Sequence, residues 1–397
     1  MAANRSDQTV ILAAGRAVLP DSVRQNVVIT IADGRIQKLS TQPDAIRVYD
    51  NALDFAGATV FPGFIDLHIH GSAGVDLMAA TADDLQFVSG YLAGKGVTGW
   101  LPTLVPGAPQ EYQSAVTAIQ QVLTAEANDA DAIEGARVLG VHYEGPFVNS
   151  LKCGALHREY FRTFGSSVAL ETLPVPRGGS KMMTFAPEIQ GGISLVRELI
   201  WRNWIPSIGH TCASVDVLDQ ARAAGARHMT HFMNAMAPFD HRSPGPIAWG
   251  LGRDDVSCDF IADGIHLDPF VLRLLAKLKG PDRLVLISDA IAAAGKGDGE
   301  YEIWGEKISV KNGRTSNAHG SIAGSVISML EAVKMMLSLG ASEVDVARMA
   351  AMNPARLLGI ENSCGSIQEG KRADLVALDG DGNVRMTMVA GRIVFQR

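Results

Sequence analysis

The sequence predicts an α/β protein: a (β/α)8 TIM-type barrel with a small β-sandwich domain formed by both termini. Three observations lead to this prediction. Strand-like apolar runs alternate with amphipathic helical patterns over about 300 residues, as in parallel α/β folds. The strand-like runs number about eight, the count that closes such a barrel. Both ends of the chain instead carry short β-rich runs that are separated by turns.

The two ends of the chain are the predicted β-sandwich. Residues 1–61 contain TVILAAGRAV and NVVITIA, which are rich in β-branched residues and are followed by turn sequences such as ADG. Residues 363–397 have the same texture, with a hairpin turn at DGDGN and an edge strand predicted at MVAGRIV. We therefore expect the two ends to pair around a central domain, residues 62–362.

The central domain supplies the predicted barrel strands in chain order: PGFIDLHIH, GVTGWLPTL, ARVLGVHYEG, KMMTFAPE, IPSIGHT, RHMTHFM, VSCDFIADG and DRLVLISDA. Helical patterns such as PQEYQSAVTAIQQVLTAEAND and SVDVLDQARAAGA stand between them, and SVISMLEAVKMMLSLG and SEVDVARMAAMNPARLLG close the series. An open doubly wound sheet is the alternative fold. Because no GxGxxG follows the first strand, a dinucleotide-binding sheet is disfavoured.

Composition narrows the class of function. The 397 residues are 47% hydrophobic, and the net charge of −7 argues against nucleic acid or an anionic membrane as a main partner. A small anionic substrate is compatible with this charge. The four cysteines form no C-x-x-C pair, so the sequence predicts neither a zinc finger nor a redox motif. We expect a cytoplasmic protein, because there is no apolar signal core and no membrane-length apolar run.

Polar residues at the strand ends are the main functional signal. In a barrel of this type, the chemistry lies at the carboxyl ends of the strands. Six residues capable of binding a metal or transferring a proton stand at such ends: His68, His70, Glu144, His210, His231 and Asp289. A lone histidine there is usually a rim residue, and Asp289 alone could cap a helix. Together, imidazole and carboxylate ligands without thiolate predict a site for Zn²⁺, Fe²⁺ or a related divalent ion.

Five stretches carry a family resemblance: PGFIDLHIHG, HYEGPF, GHT, THFMNAM and LISDA, in this order. They resemble the amidohydrolase superfamily and, within it, closely the N-acetylglucosamine-6-phosphate deacetylase family. The resemblance covers essentially the whole chain, and HxEGPF and THxxNAM are its most specific parts. It implies a metal-bearing barrel with a β-sandwich, and the removal of acetate from the 2-acetamido group of an amino-sugar phosphate.

The resemblance also implies roles for individual residues. It assigns Glu144, His210 and His231 as the principal metal ligands and Asp289 as the catalytic aspartate, which is also counted among the metal residues. Some members of the family replace the HxH pair and keep one metal, whereas His68 and His70 are retained here. We therefore expect one or two divalent ions per subunit, zinc in the first place and iron as the alternative.

Further positions match the family's substrate contacts. Asn234, Ala235 and His266 match residues that hold the sugar phosphate. Arg242 matches an arginine that reaches the phosphate in the neighbouring subunit's site, which implies a homodimer. His157 matches a histidine that polarises the amide carbonyl, although KCGALH has one residue more before it than the family's usual triplet.

The expected reaction is hydrolysis of N-acetyl-D-glucosamine 6-phosphate to D-glucosamine 6-phosphate and acetate. A metal-bound hydroxide would attack the amide, with Asp289 as general base and then acid. Alternatives are the galactosamine isomer, another amidohydrolase, and a non-catalytic scaffold with the same fold. Most two-metal hydrolases of the superfamily use a carboxylated lysine from a middle strand. KMMTFAPE has no lysine at its end, which favours the deacetylase branch.

Overall fold

A computed structural model describes residues 9–41, 52–129 and 132–397. Within these ranges the central domain is a barrel of eight parallel strands, each hydrogen-bonded to the next in chain order. The prediction of a (β/α)8 barrel is confirmed. The strands are Phe64–Ile69 (β1), Val97–Leu104 (β2), Gly140–Glu144 (β3), Ser180–Phe185 (β4), Ile205–Ile208 (β5), His228–Met229 (β6), Ser257–Ile261 (β7) and Leu284–Ile287 (β8).

The barrel closes between β8 and β1. Ile69 and Ala290 form a parallel bridge just beyond the regular strands. The Asp289 amide donates to the His68 carbonyl at 2.8 Å, and the His70 amide donates to the Ala290 carbonyl at 2.7 Å. These bonds bring the ends of the first and last strands side by side, although more than 200 residues separate them in the sequence.

Helices follow most of the barrel strands. The helix Pro109–Asn128 buries Tyr112, Ala115, Ile119 and Val122, which recur at three- and four-residue spacing on one face. The last predicted helix instead contains a π-helical turn over Arg348–Met352 between two short α-helices. The α-helices are Ala82–Ala93, Pro109–Asn128, Val168–Glu171, Gly192–Trp201, Val215–Ala224, Gly245–Leu251, Pro269–Lys279, Met329–Ser338, Glu343–Ala347 and Asn353–Leu357. None of the helices in the described ranges is long and apolar enough to cross a membrane.

Both ends of the chain build a second, β-sheet domain, as predicted. In spatial order its seven described strands are Arg392–Gln396, Val384–Val389, Leu375–Leu378, Leu53–Pro62, Val10–Val18, Val23–Ala32 and Arg35–Thr41. The edge strand Arg35–Thr41 is also tied to the segment that precedes Leu375–Leu378, because the Ile36 amide donates to the Lys371 carbonyl at 2.9 Å. The sheet encloses a core of its own that includes Leu12, Ile29, Leu375 and Met388. The predicted domain boundaries stay predictions, and residues 1–8 and 42–51 lie outside the described ranges.

The C-terminal hairpin corrects one detail. MVAGRIV is not a single edge strand: Val384–Val389 and Arg392–Gln396 pair antiparallel across a turn at Ala390 and Gly391. Both turn residues have positive φ, +49° and +78°, as a tight hairpin turn of this hand requires. The edge strand on this side of the sheet is therefore Arg392–Gln396.

Two small antiparallel elements that the sequence analysis did not anticipate follow β1 and β8. Gly71–Ser72 pairs with Val75–Asp76 directly after β1. A three-stranded sheet, Gly299–Ile303, Glu306–Lys311 and Arg314–Ser316, is inserted after β8. Because both elements follow the carboxyl ends of barrel strands, they lie at the end of the barrel where the candidate ligands converge. The insertion brings Trp304 into that site.

Candidate active site

Three of the candidate ligands occupy an unusual backbone conformation. His210, His231 and Asp289 follow the ends of β5, β6 and β8, and their φ angles are +47°, +31° and +51°. Left-handed conformations of non-glycine residues cost on the order of 1–3 kcal/mol each and cluster at functional sites. The strained residues are thus the ones that leave the strands at the barrel mouth, where their side chains converge.

The first cluster of ligand atoms belongs to His68, His70 and Asp289. All three residues are almost fully buried. The two histidine Nε2 atoms lie 3.0 Å apart. Asp289 Oδ1 lies 3.4 Å from His68 Nε2 and 3.2 Å from His70 Nε2. The HxH pair of β1 therefore shares one centre with the aspartate at the end of β8.

The second cluster belongs to Glu144, His210 and His231. Glu144 Oε1 lies 2.9 Å from the Nε2 atom of each histidine, and the two Nε2 atoms are 3.0 Å apart. The other carboxylate oxygen, Oε2, is 3.3 Å from His70 Nε2 in the first cluster. Glu144 therefore stands between the two clusters.

The six residues form two groups, and within each group the ligand atoms lie within 4.8 Å of one another. Four-coordinate zinc with bonds of about 2.0–2.1 Å holds neighbouring ligand atoms roughly 3.3 Å apart. The spacings of 2.9–3.4 Å within the clusters approach this value. Imidazole and carboxylate are also the ligand types that divalent ions of this class bind. The arrangement fits a divalent-metal site, with Glu144 between two candidate positions.

Hydrogen bonds behind the ligands set the orientation of two rings. His70 Nδ1 lies 3.2 Å from the Thr103 carbonyl, and His210 Nδ1 lies 2.6 Å from the Lys152 carbonyl. A carbonyl accepts only, so each Nδ1 carries a proton, and each Nε2 faces the cluster and is the atom that could bind a metal once it is deprotonated. The Nδ1 atoms of His68 and His231 are buried without a hydrogen-bond partner.

Charges in the cluster are strongly coupled. Burial disfavours charged imidazole, yet Asp289 and Glu144 raise the pKa of His70 to about 10. Glu144 likewise raises the pKa of His231 to about 9 against the effect of burial. Burial acts to raise the pKa of Glu144 itself, but the surrounding imidazoles, His68 foremost, hold it well below its ordinary value. Without a cation, protons on the histidines balance the carboxylates, and a bound metal would replace those protons.

A polar layer lies beneath the ligands, and the sequence analysis did not assign it a role. The His142 ring packs edge-on against His68, with ring centroids 4.7 Å apart. Its two nitrogens lie 3.0 Å from the Leu67 carbonyl and 2.8 Å from Thr184 Oγ1. Burial lowers the pKa of His142 to about 4, so this ring is neutral at physiological pH. It supports His68 from below without adding charge to the cluster.

A cavity of about 310 Å³ opens over the clusters and lies within the size range of small-molecule sites. Of the predicted substrate residues, Asn234, Ala235 and His266 line it. The His266 ring is fixed by Asp263, whose carboxylate lies 2.7 Å from Nδ1. The full lining is His70, Glu144, Gly154, Ala155, Leu156, His210, His231, Asn234, Ala235, His266, Asp289, Trp304, Ser321, Ile322 and Gly324.

Two of the predicted substrate residues, His157 and Arg242, do not line this cavity. His157 lines a neighbouring cavity of about 400 Å³, and its Nδ1 lies 3.3 Å from Glu159 Oε1. Its neighbour Leu156 lies on the wall of the cavity over the ligand clusters. Arg242 is exposed on a loop, where its backbone amide donates to Asp240 at 2.8 Å.

Sequence reasoning missed part of the wall: Leu156, Trp304, Ser321, Ile322 and Gly324. Alternating apolar residues around the Trp304–Gly305 turn could have revealed the inserted hairpin. Nothing in the sequence alone could have placed that hairpin over the barrel mouth.

Comparisons with known proteins agree with this geometry. Residues 59–394 match the model of the Amidohydrolase family. N-acetylglucosamine-6-phosphate deacetylase of Bacillus subtilis (strain 168) is 35% identical over 95% of each chain. N-acetylgalactosamine-6-phosphate deacetylase of Escherichia coli O157:H7 is 32% identical over 97% of this chain and 99% of its own. One similar solved structure is a mutant N-acetyl-D-glucosamine-6-phosphate deacetylase of Mycobacterium smegmatis in complex with N-acetyl-D-glucosamine-6-phosphate. It aligns with a TM-score of 0.88 and 31% identity, over 98% of this chain and 100% of its own.

Proposed function

The chain belongs to the amidohydrolase family, and from this premise we propose that it hydrolyses N-acetyl-D-glucosamine 6-phosphate to D-glucosamine 6-phosphate and acetate. The observation that carries the proposal is the pairing of the ligand clusters with Asp289 on the wall of one cavity. The substrate named for the B. subtilis and M. smegmatis relatives supports the choice of sugar.

The catalytic step requires a proton acceptor beside the attacking water. A divalent ion held by Glu144, His210 and His231 would supply an activated water and polarise the amide carbonyl. Asp289 accepts the water proton and returns it to the amide nitrogen as the C–N bond breaks. Its position supports this role, because Asp289 stands on the cavity wall beside the cluster of Glu144 without belonging to it.

The first cluster, of His68, His70 and Asp289, supports a second ion. His68 and His70 retain the geometry of ligands, and Glu144 stands between them and the other pair of histidines. We propose zinc at the position of Glu144, His210 and His231, and a further divalent ion at the position of His68, His70 and Asp289. Iron has the same ligand preferences and is the alternative occupant.

The phosphate end of the substrate requires cations and hydrogen-bond donors. His266, fixed by Asp263, is the candidate hydrogen-bond donor within the chain's own cavity. We propose that Arg242 completes the phosphate site of a second subunit, because it is exposed and lies outside its own cavity. The helix that begins at Gly245 packs against Pro269–Lys279.

The helix Pro269–Lys279 exposes an apolar stripe. Phe270, Leu274 and Leu278 are 65%, 40% and 54% exposed and recur every four residues on one face. Exposed apolar stripes of this kind mark protein–protein interfaces, and this one supports a homodimer. The role of His157 as a carbonyl-polarising group stays a prediction, as does the cytoplasmic location.

The galactosamine isomer is a second candidate, because the E. coli relative of that name aligns over nearly the whole chain. The two sugars differ in the orientation of one hydroxyl. The test is acetate release by the purified protein from N-acetylglucosamine 6-phosphate, N-acetylgalactosamine 6-phosphate and unphosphorylated N-acetylglucosamine. We expect the highest kcat/KM for the first sugar. A higher value for the second would change the assignment to the isomer, and equal values with and without phosphate would contradict the phosphate site.

A further inference from the structure

We propose that Trp304 sets the size of the acyl group that the enzyme accepts. In this proposal, which rests on the proposed function, the indole is the wall against which the acetyl methyl group packs. Longer acyl chains are excluded because the indole fills the space that they would need.

Trp304 reaches the reactive end of the cavity from the inserted three-stranded sheet. It occupies the turn between Gly299–Ile303 and Glu306–Lys311 and lines the catalytic cavity. Its ring stands nearly perpendicular to the ring of His70, at an interplanar angle of 84° and a centroid distance of 5.2 Å. The residue has a φ of +54°, a conformation that is uncommon for a bulky side chain and is associated with functional positions.

The indole is held in place from behind. It packs against a small core that belongs to the insertion and its neighbours and includes Ile291, Ile303 and Ile308. The indole nitrogen is buried without a hydrogen-bond partner of normal geometry, and it lies near the Asp76 carboxylate. Burial raises the pKa of Asp76, whereas the neighbouring Met78 and Trp304 groups lower it. A side chain anchored in this way forms a fixed wall.

The chemistry determines which part of the substrate meets this wall. The amide carbon must lie within reach of the water that Asp289 deprotonates. Asp289 Oδ1 is 3.2 Å from His70 Nε2, and Trp304 packs on the His70 ring. One substituent of the amide carbon is the sugar nitrogen, which extends toward the residues proposed to hold the sugar phosphate. The other is the acyl methyl group, and the Trp304 indole is an apolar surface beside His70 that can receive it.

The expected effect follows from the size of the acyl group. One methylene in an apolar pocket changes kcat/KM by roughly 10–200-fold. The wild-type enzyme should therefore discriminate at least about 10-fold between N-acetyl- and N-propionylglucosamine 6-phosphate. Trp304→Ala should reduce the ratio of kcat/KM for the acetyl substrate to that for the propionyl substrate by about 10-fold or more. Trp304→Leu should give an intermediate ratio.

The experiment measures kcat/KM for N-formyl, N-acetyl, N-propionyl and N-butyryl substrates, with metal content and melting temperature for each variant. Trp201→Ala is the matched control, because it removes an indole that is 75% exposed. A second readout is calorimetric binding of the N-butyryl substrate to Asp289→Asn proteins with and without Trp304→Ala. We expect the doubly substituted protein to bind this substrate more tightly.

The outcomes separate the two claims. An unchanged acetyl-to-propionyl ratio in Trp304→Ala protein that keeps its metal would overturn the inference. If Trp304→Ala loses metal or fold, the same criterion is applied to Trp304→Leu. Equal wild-type turnover of the acetyl and propionyl substrates would also overturn the inference. Wild-type protein that carries metal and releases no acetate would instead overturn the proposed function.

Discussion

Replacement of Asp289 by asparagine tests the proton-transfer step with little structural change. The asparagine has nearly the same volume, and residue 289 is only 6% exposed. Its backbone hydrogen bonds to the chain at His68 and Ser325 do not involve the side chain. Glu144, His210 and His231 form a cluster that does not include Asp289, so the ion that they hold should remain.

The expected loss is large because the amide cannot accept the water proton. General acid–base catalysis contributes about 10²–10⁴-fold, which corresponds to roughly 2.7–5.4 kcal/mol in the activation free energy. We therefore expect the kcat for acetate release to fall by at least about 100-fold. The melting temperature should change by only a few degrees. Any ion at the position of His68 and His70 should bind more weakly, since Asp289 Oδ1 lies 3.2–3.4 Å from their Nε2 atoms.

The assay follows acetate release at saturating substrate and counts metal ions per chain by mass spectrometry. Asp21→Asn, an exposed change in a turn of the terminal sheet, is the matched control. A kcat within about threefold of the wild-type value, in protein with its full metal content, would refute the role of Asp289. Loss of all metal would show that Asp289 is required for the binding of both ions, which contradicts the separation of the two clusters.

Three further predictions concern protons and the second subunit. The pKa values of His70 and His231 are about 10 and about 9, above the ordinary value of 6.5. The two histidines therefore contribute fully to the stability of the metal-free protein below pH 6.5. This contribution is lost as the pH rises through 9 to 10. Denaturant unfolding of chelated protein should therefore give a lower free energy of unfolding at pH 9.5 than at pH 7, and an equal or higher value would contradict this account. Zinc binding at pH 7.5 should release protons. Calorimetry in two buffers of different ionisation enthalpy measures the number of protons released. A number near zero would show that the histidines are already deprotonated. Finally, Arg242→Ala and Asp289→Asn proteins should each be nearly inactive alone. A mixture of the two should recover up to about a quarter of wild-type activity. Half of the randomly formed dimers contain one subunit of each kind, and one of the two sites in such a dimer is intact. No recovery in mixtures shown to exchange subunits would place Arg242 outside the neighbouring site.

The barrel and the convergence of the candidate ligands could be predicted because they depend on simple geometry. Carboxyl ends of parallel strands meet at one end of a barrel, so His68, Glu144, His210 and Asp289 had to approach one another once the strands were identified. The HxH spacing likewise placed two imidazoles on one side of β1. Both inferences need only the strand period and the order of the strands.

Other features depend on tertiary contacts that no local pattern contains. His157 and Leu156 are adjacent in the sequence, yet only Leu156 lines the cavity of the clusters. The sequence pattern alone does not show which of two adjacent side chains faces the candidate ligands. Trp304 lies at the barrel mouth on an inserted hairpin. The strands of this hairpin pair with their neighbours in the sequence, but its position over β8 depends on tertiary contacts. His142 was included in a predicted strand, and its support of His68 required the packing of β1 against β3.

The most direct test of the central claim is a metal titration of the chelated protein with N-acetylglucosamine 6-phosphate as substrate. Acetate release and bound zinc or iron are measured together on the same samples. The account predicts no turnover without metal and a rise in kcat that follows occupancy, with a plateau at one or two ions per chain. Glu144→Gln, which alters the residue between the two clusters, should show neither full occupancy nor turnover. Wild-type turnover in protein with less than about 0.05 ions per chain would contradict metal-dependent hydrolysis at this site.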